Sequence, residues 1–279
     1  MLNWVRWSRS RRRLVFLSPA RHQCRSVWFG NVQKDESRHH KLLHAAQRLR
    51  GATYCKDGAI QSSDLTIDGR HVQTADDLSY HILTVDDKDH VLGCMRYRVH
   101  GHDVRMDDLT LNDSAVARSK TWGPLVHAAV QDQIASARLS GFSYVELGGW
   151  AMSESLRGGT DAIRMLLSVY ALARATGGAV GITTATVRHH SSSILRRMGG
   201  QSLTASGRIV PPYFDSQFNC EMELLRFHSD EPNPQYAALV ASYQAGLTEA
   251  PVIVRAPRIR EQEPARLRFG SLPNPAPLL

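Results

Sequence analysis

The chain has 279 residues, 42% of them apolar, which suffices for a sizeable core in one large domain or two small ones. Its net charge of +8 sits at the ends: residues 1–50 carry 12 Lys/Arg against 2 Asp/Glu and residues 251–279 carry 5 against 2, which leaves 17 against 22 in residues 51–250. A nucleic-acid reading built on the basic pI is therefore excluded, because it needs a basic face on the folded middle. Cys24, Cys55, Cys94 and Cys220 lie far apart without a Cys-x-x-Cys pair. Neither a zinc site nor a disulfide framework is expected, and no metal; the pattern suits a reducing cytosol. No apolar run approaches the roughly 18–20 residues that span a bilayer.

Residues 1–36 show no sustained period and read as a basic, disordered arm. Leu14-Val-Phe-Leu17 is too short for a signal-peptide core, and Trp4, Trp7 and Trp28 suit loose contact with acidic lipid at the inner membrane face. The expected location is cytoplasmic. A single domain is expected over 37–247. Its first helix starts at Ser37, with Leu42, Leu43, Ala46 and Leu49 as the apolar stripe. Residues 79–85 and 90–98 flank Asp86-Asp-Lys-Asp89 and predict a hairpin. Residues 99–120 read as a polar connection, and Pro124 to Ser140 as a helix with Pro at its start and Gly141 at its end.

The next stretch organises the chain. Tyr144 to Met152 has strand character, Ser155-Leu-Arg-Gly-Gly-Thr160 is a Gly-rich turn, and Asp161 to Thr176 has helical spacing. Ala179 to Val187 is β-branched and predicts a second strand, completing a βαβ unit whose first turn offers backbone N–H groups to an anion. Ser191 to Met198 follows as a short helix, 201–210 and 219–227 as a closing strand pair joined by Pro211 to Asp215, and 232–247 as a last helix. Residues 248–279 read as a Pro/Arg-rich tail without a core.

This order of elements resembles the GCN5-related N-acetyltransferase (GNAT) fold, an α/β (α+β) architecture. It has a mixed central sheet, antiparallel in its N-terminal part, with helices on both faces. Arg157-Gly-Gly-Thr-Asp-Ala162 is similar to that family's (Gln/Arg)-x-x-Gly-x-(Gly/Ala) pyrophosphate loop, with Thr160 in the place of a glycine. Leu195 stands where the family often has a general-acid tyrosine. A narrower resemblance, over about residues 42–227, is to the acyl-homoserine lactone (autoinducer) synthases and the related long-chain N-acyl amino acid synthases. Arg50-Gly-Ala-Thr-Tyr54, Asp76-Asp-Leu-Ser-Tyr-His-Ile-Leu83, Gly93-Cys-Met-Arg96 and Glu146-Leu-Gly-Gly-Trp-Ala151 carry it. Gly148-Gly149 replaces the Ser-Arg of the last motif. In the lactone synthases that arginine lies near the S-adenosylmethionine and acyl groups, so the resemblance implies a different amine here.

The resemblance implies an N-acyltransferase that moves a medium or long acyl chain to the amine of an amino acid or related compound. The donor would be acyl-CoA or the acyl-phosphopantetheine of acyl carrier protein, used as co-substrate and not as a tightly bound cofactor. Acyl transfer to an amine needs a neutral amine, aligned reactants and a stabilised oxyanion. Glu146 is the candidate for binding the ammonium or taking its proton, against an ordinary ion-paired strand Glu. Arg96 suits an acceptor carboxylate, against a solvated strand arginine. Arg50, Asp76, Asp77 and Trp150 are the remaining candidates at the substrate end; helix-end cation, caps and core packing are their plainer readings. Arg157, Gly158, Gly159, Thr160, Thr184 and Thr186 are the candidates for holding the donor. Thr183-Thr-Ala-Thr186 is explained nearly as well by β-propensity. His189 and His190 read as a cap or solvated pair. Arg157, Arg164, Arg188, Arg196 and Arg197 form a candidate dock for acidic carrier protein, or plain surface charge. Three other functions stay open: lactone synthesis, acetyl transfer from acetyl-CoA, and non-catalytic acyl-CoA binding.

Overall fold

The computed structural model describes residues 12–20 and 29–255. The strands and helices in chain order are β1 (Arg13–Leu17), β2 (Asn31–Lys34), α1 (Glu36–Lys56), β3 (Tyr80–Val85), β4 (Val91–Val99), α2 (Gly123–Leu139) and β5 (Ser143–Met152). They continue with α3 (Asp161–Ala175), β6 (Ala179–Thr186), α4 (Ser191–Met198), β7 (Gln201–Ser202), β8 (Thr204–Ala205), β9 (Arg208–Ile209), β10 (Tyr213–Asp215), β11 (Cys220–His228), α5 (Ala237–Gly246) and β12 (Pro251–Val254). Asp35 starts α1: its carboxylate accepts the Arg38 N–H at 2.8 Å, satisfying one of the orphan donors of the first turn. Pro124 sits in the first turn of α2, where its missing N–H costs nothing.

Ten strands form one mixed sheet in the order β10-β11-β6-β5-β4-β3-β1-β12-β2, with β7 pairing the far end of β11. The expected β3–β4 hairpin is antiparallel, and β5 and β6 run parallel around α3, as a βαβ crossover requires. One face of the sheet buries Ile82, Met95, Tyr97, Leu147 and Phe227 under α3 and α5. The other face carries two separate apolar patches. Leu83, Val85, Cys94 and Ala151 lie under α1, while Tyr144, Val180, Ile182 and Leu224 lie under α2.

Both ends of the domain differ from the sequence reading. Residues 13–17, assigned above to a disordered arm, form β1 inside the sheet, antiparallel to β3 and parallel to β12. Residues 251–254, assigned to a tail, form β12 between β1 and β2. A strand buried on both faces is a short continuous apolar run, and Leu14, Val15, Phe16 and Leu17 are each at most 1% exposed. The flanking arginines masked that signal. The sheet therefore draws on residues 13–17 and 251–254, while Trp4, Trp7, Trp28, Cys24 and residues 256–279 lie outside the described residues.

The expected closing strand over 201–210 is also broken up. Ser206 and Gly207, at φ +50° and +73°, turn β8 back on β9 as a separate tight hairpin. The edge strand beside the start of β11 comes instead from Tyr213–Asp215, read above as a connection. The last helix begins later than expected, at Ala237, after a 3₁₀ turn over Pro234–Tyr236. Among the described residues, no helix is long and apolar enough to cross a membrane, and Cys55, Cys94 and Cys220 are free thiols.

Candidate active site

The register of β5 builds the site. β5 pairs β6 only from Ser143–Ala179 to Leu147–Thr183, and beyond that point the two parallel strands part. On its other edge, Arg96 pairs Gly148 while Cys94 pairs Ala151, so two residues of β5 oppose one of β4. That is a β-bulge, and Gly149 at φ +61° supplies the left-handed residue it needs. Through the gap runs a cavity of about 920 Å³, lined from both faces of the sheet, by Arg96, Arg98 and Glu146 as well as by Met95, Leu147 and Ala185.

Strand alternation explains the polar wall. Cys94, Arg96 and Arg98 share one face of β4, and Tyr144, Glu146 and Gly148 share the same face of β5. Cys94 packs under α1 and Tyr144 under α2, so Arg96, Arg98 and Glu146 fall in the gap between the two helices. The Glu146 carboxylate accepts from His100 Nε2 at 3.0 Å, from the Leu111 N–H at 3.1 Å and from Thr110 Oγ1 at 3.4 Å, with Arg98 Nη1 at 3.5 Å. Burial works against its charge, but the bonds from His100, Thr110 and Leu111 prevail and hold its carboxyl below the usual glutamate range. Glu146 is thus an ionised anchor at neutral pH.

Arg96 lines the cavity, whereas Arg50 and Asp76 lie behind it. Asp76 Oδ2 accepts from Arg50 Nη2 at 2.7 Å and from Gln47 Nε2 at 3.0 Å, and Oδ1 accepts from Arg96 Nη1 at 3.0 Å. Arg50 also reaches the His71 carbonyl at 2.5 Å. Burial penalises the Asp76 carboxylate, yet Arg50 and Arg96 outweigh it and depress its pKa well below the usual range. Burial and the neighbouring Arg50 charge lower the pKa of Arg96. Of the residues expected at the substrate end, Arg50 and Asp76 lie buried behind Arg96, and Asp76 bonds both arginines in place. Asp77 points outward to Arg255, 3.0 Å away, with its side chain 60% exposed. Trp150 does line the cavity, and it packs against the α3-side core. Tyr54 lines it too, with its hydroxyl 3.4 Å from the Trp150 carbonyl.

At the other end, Arg157, Gly158 and Gly159 line the cavity just before α3, with Gly158 at φ +75°. Thr160 is not part of the lining; its side chain makes no cap bond, and its carbonyl takes the Arg164 N–H. Asp161, in the first turn of α3, takes Arg12 Nη1 at 2.9 Å, so a carboxylate already occupies part of that helix's positive end. Thr184 and Thr186 line the cavity where β6 has left β5. The Thr186 hydroxyl is shared with Ser191 at 2.6 Å, which ties β6 to the start of α4. His190, at φ +59°, caps α4 through its backbone, and His189 stands beside it at the cavity edge. Of the five arginines expected to form a dock, Arg196 is held by Glu223 and Ser202, and Arg157 and Arg188 meet Asp57.

The residues that sequence reasoning missed are Arg98, His100, Thr110 and Leu111 around Glu146, and Tyr54 and Phe218 on the opposite wall. Arg98 was legible from its two-residue offset to Arg96 on one strand face. Leu111 acts through its backbone N–H, for which a sequence has no signal.

No family model matches this chain, and neither does any curated protein. Solved structures do. It is similar to a CoA-dependent acyl-homoserine lactone synthase, BjaI, determined with SAM and isopentyl-CoA, at a TM-score of 0.51 and 13% identity over 81% of this chain and 93% of that one. The same synthase with MTA matches at 0.50 and 14% over the same shares. An N-acyl amino acid synthase from uncultured soil microbes, FeeM, matches at 0.45 and 15%, over 67% of this chain and 84% of that one. At such identities the likeness is one of fold alone: the chain shares the fold of a CoA-dependent acyl-homoserine lactone synthase.

Proposed function

We propose that this chain is an N-acyltransferase that moves an acyl group from a CoA or phosphopantetheine thioester to the amine of an amino acid. The observation that carries the reading is the continuity of one cavity from the Arg157–Gly159 turn to the Arg98–Glu146 pair, through the gap between β5 and β6. In this reading the donor's diphosphate lies at the start of α3, and its pantetheine arm runs along the unpaired edges of Gly148–Met152 and Thr184–Thr186. The acyl chain rests among Leu147, Trp150, Ile163 and Leu195. A strongly acidic carrier protein would meet Arg197 and Arg188 at the same mouth.

The acceptor end is zwitterionic. Glu146 and Arg98 sit side by side at 3.5 Å, so an α-amino acid can replace that pair by offering its ammonium to Glu146 and its carboxylate to Arg98. Arg96, held by Asp76, adds a second cation on the same face. The amine loses its proton to water near Glu146 and attacks the thioester carbonyl. The C–N bond forms, the C–S bond breaks, and the second proton shed by the acylated nitrogen passes to the departing thiolate, giving the amide and the free thiol. Lactone formation is the weaker reading, because Gly148-Gly149 stands where the resemblance places a Ser-Arg pair.

The test pairs acyl-CoA donors of several lengths with amino acids and with the matching amines that lack a carboxylate, and reads N-acyl products by mass spectrometry. Glu146→Gln is expected to lower kcat/KM by about 10²-fold or more for both acceptor types. Arg98→Ala is expected to cost about tenfold or more for amino acids while sparing the carboxylate-free amines. Full rates in both variants, or no product from the wild type with any thioester, would sink the assignment.

A further inference from the structure

One contact at the cavity mouth has no part in the acyl-transfer reading. Asp57 closes α1, and its carboxylate lies 3.6 Å from Arg157 Nη2 and 3.7 Å from His189 Nε2. Its carbonyl accepts from the Arg188 guanidinium. Arg157 precedes α3, and Arg188 and His189 precede α4, so the negative end of α1 faces the positive ends of two helices. The Asp57 side chain is 15% exposed, against 48% for Arg157 and 36% for His189. The carboxylate is therefore the enclosed partner, and the two side chains beside it still face water. Beside it, Lys56 makes a second tie to Glu154, just before the Arg157 turn.

We infer that Asp57 is an internal anion seated in the donor's phosphate subsite, which the diphosphate of the donor must displace in order to bind. The inference rests on the donor-site reading above. A phosphate and a carboxylate on the same cations repel at contact range, so one has to leave. Asp57 is joined to the last turn of α1, and Thr53 and Tyr54 of that turn line the cavity. Tyr54 in turn reaches the Trp150 carbonyl. Displacing Asp57 thus shifts the cover over the acyl end, and the arrival of the donor is coupled to the shape of the reaction chamber. Asp57 also sets the donor's affinity, since every phosphate-bearing donor competes with it.

The experiment titrates coenzyme A, and separately pantetheine, into the wild type, Asp57→Asn, Asp57→Ser and Arg157→Ala by calorimetry at low salt. Both Asp57 variants are expected to bind coenzyme A about three- to tenfold more tightly than the wild type, because the carboxylate paired with Arg157 no longer opposes it. Arg157→Ala should bind it more weakly, and pantetheine, which has no diphosphate, should bind the Asp57 variants and the wild type alike. Equal coenzyme A affinity in the wild type and both Asp57 variants overturns the inference while leaving the donor site standing. Equal tightening of pantetheine overturns it as well. Absence of coenzyme A binding from every protein, the wild type included, removes the donor-site reading and this inference with it.

Discussion

Gly149 decides how Arg96 can lie. A Cβ at this position would sit 2.7 Å from Arg96 Nε and 3.1 Å from Arg50 Nη1, and the backbone already holds φ at +61°. Both facts demand glycine: the conformation is strained for an L side chain, and the space belongs to two guanidiniums. Gly148 is the natural control, because a Cβ there would meet only Arg96 Nη2, at an ordinary 3.6 Å. Gly149→Ala is expected to lower stability by about 1–3 kcal/mol, and Gly148→Ala to stay within about 0.5 kcal/mol of the wild type. Denaturant midpoints of the two variants check this, and equal midpoints would refute it. An arginine at 149 would add a third guanidinium to a pair already sharing one carboxylate.

At the scale of elements, that cluster fastens α1 to the sheet. Asp76 ends a 3₁₀ turn, Arg50 belongs to the last turns of α1, and Arg96 to β4, so one carboxylate joins three elements. Asp76→Ala leaves two cations buried without a counter-charge, with an expected loss of about 3–5 kcal/mol. Asp77→Ala removes an exposed pair with Arg255 and is expected to cost no more than about 1 kcal/mol. The contrast is measured on the two variants by chemical denaturation, and similar losses would mean that the cluster does not carry the junction. It also shows what a sequence hides. Asp76-Asp77 has no period that separates an inward carboxylate from an outward one, because a 3₁₀ turn follows neither strand nor helix spacing. The βαβ unit and the β3–β4 hairpin were legible, since periods of 2 and 3.6 fix them locally. The bulge at Gly149, the Leu111 N–H on Glu146 and the parallel pairing of β1 with β12 were not. Each depends on partners far apart in the chain.

At the scale of the whole molecule, the two ends of the domain meet in the sheet, and a buried histidine joins them. His39 Nε2 lies 2.9 Å from the Ser18 carbonyl just after β1, and its Nδ1 accepts from Arg255 Nε at 3.3 Å just after β12. This pattern fixes a neutral ring with its proton on Nε2, and a second proton would face the Arg255 guanidinium. Burial, then the Arg255 and His40 charges, lower its pKa to about 4 against the partial support of Ser18 and Asp77. His81, on β3, hydrogen-bonds the Asp76 carbonyl at 2.8 Å. Burial lowers its pKa to about 4 as well, with Arg96 and Arg50 adding to the effect and the Asp76 carboxylate opposing it. An unfolded histidine titrates near 6.5, so between about pH 6.5 and 4 the unfolded chain binds protons that the native one refuses. Stability must then fall as the pH drops through that window, by about 2 kcal/mol per histidine at pH 5 relative to pH 7. Replacing both by glutamine keeps a donor on each carbonyl and removes the titration, so the double variant His39→Gln, His81→Gln is expected to lose about 4 kcal/mol less than the wild type over this interval. Unfolding free energies at pH 7 and pH 5 decide the matter. If the two proteins lose the same amount, the acid sensitivity of the fold lies elsewhere than in the joint between its two ends.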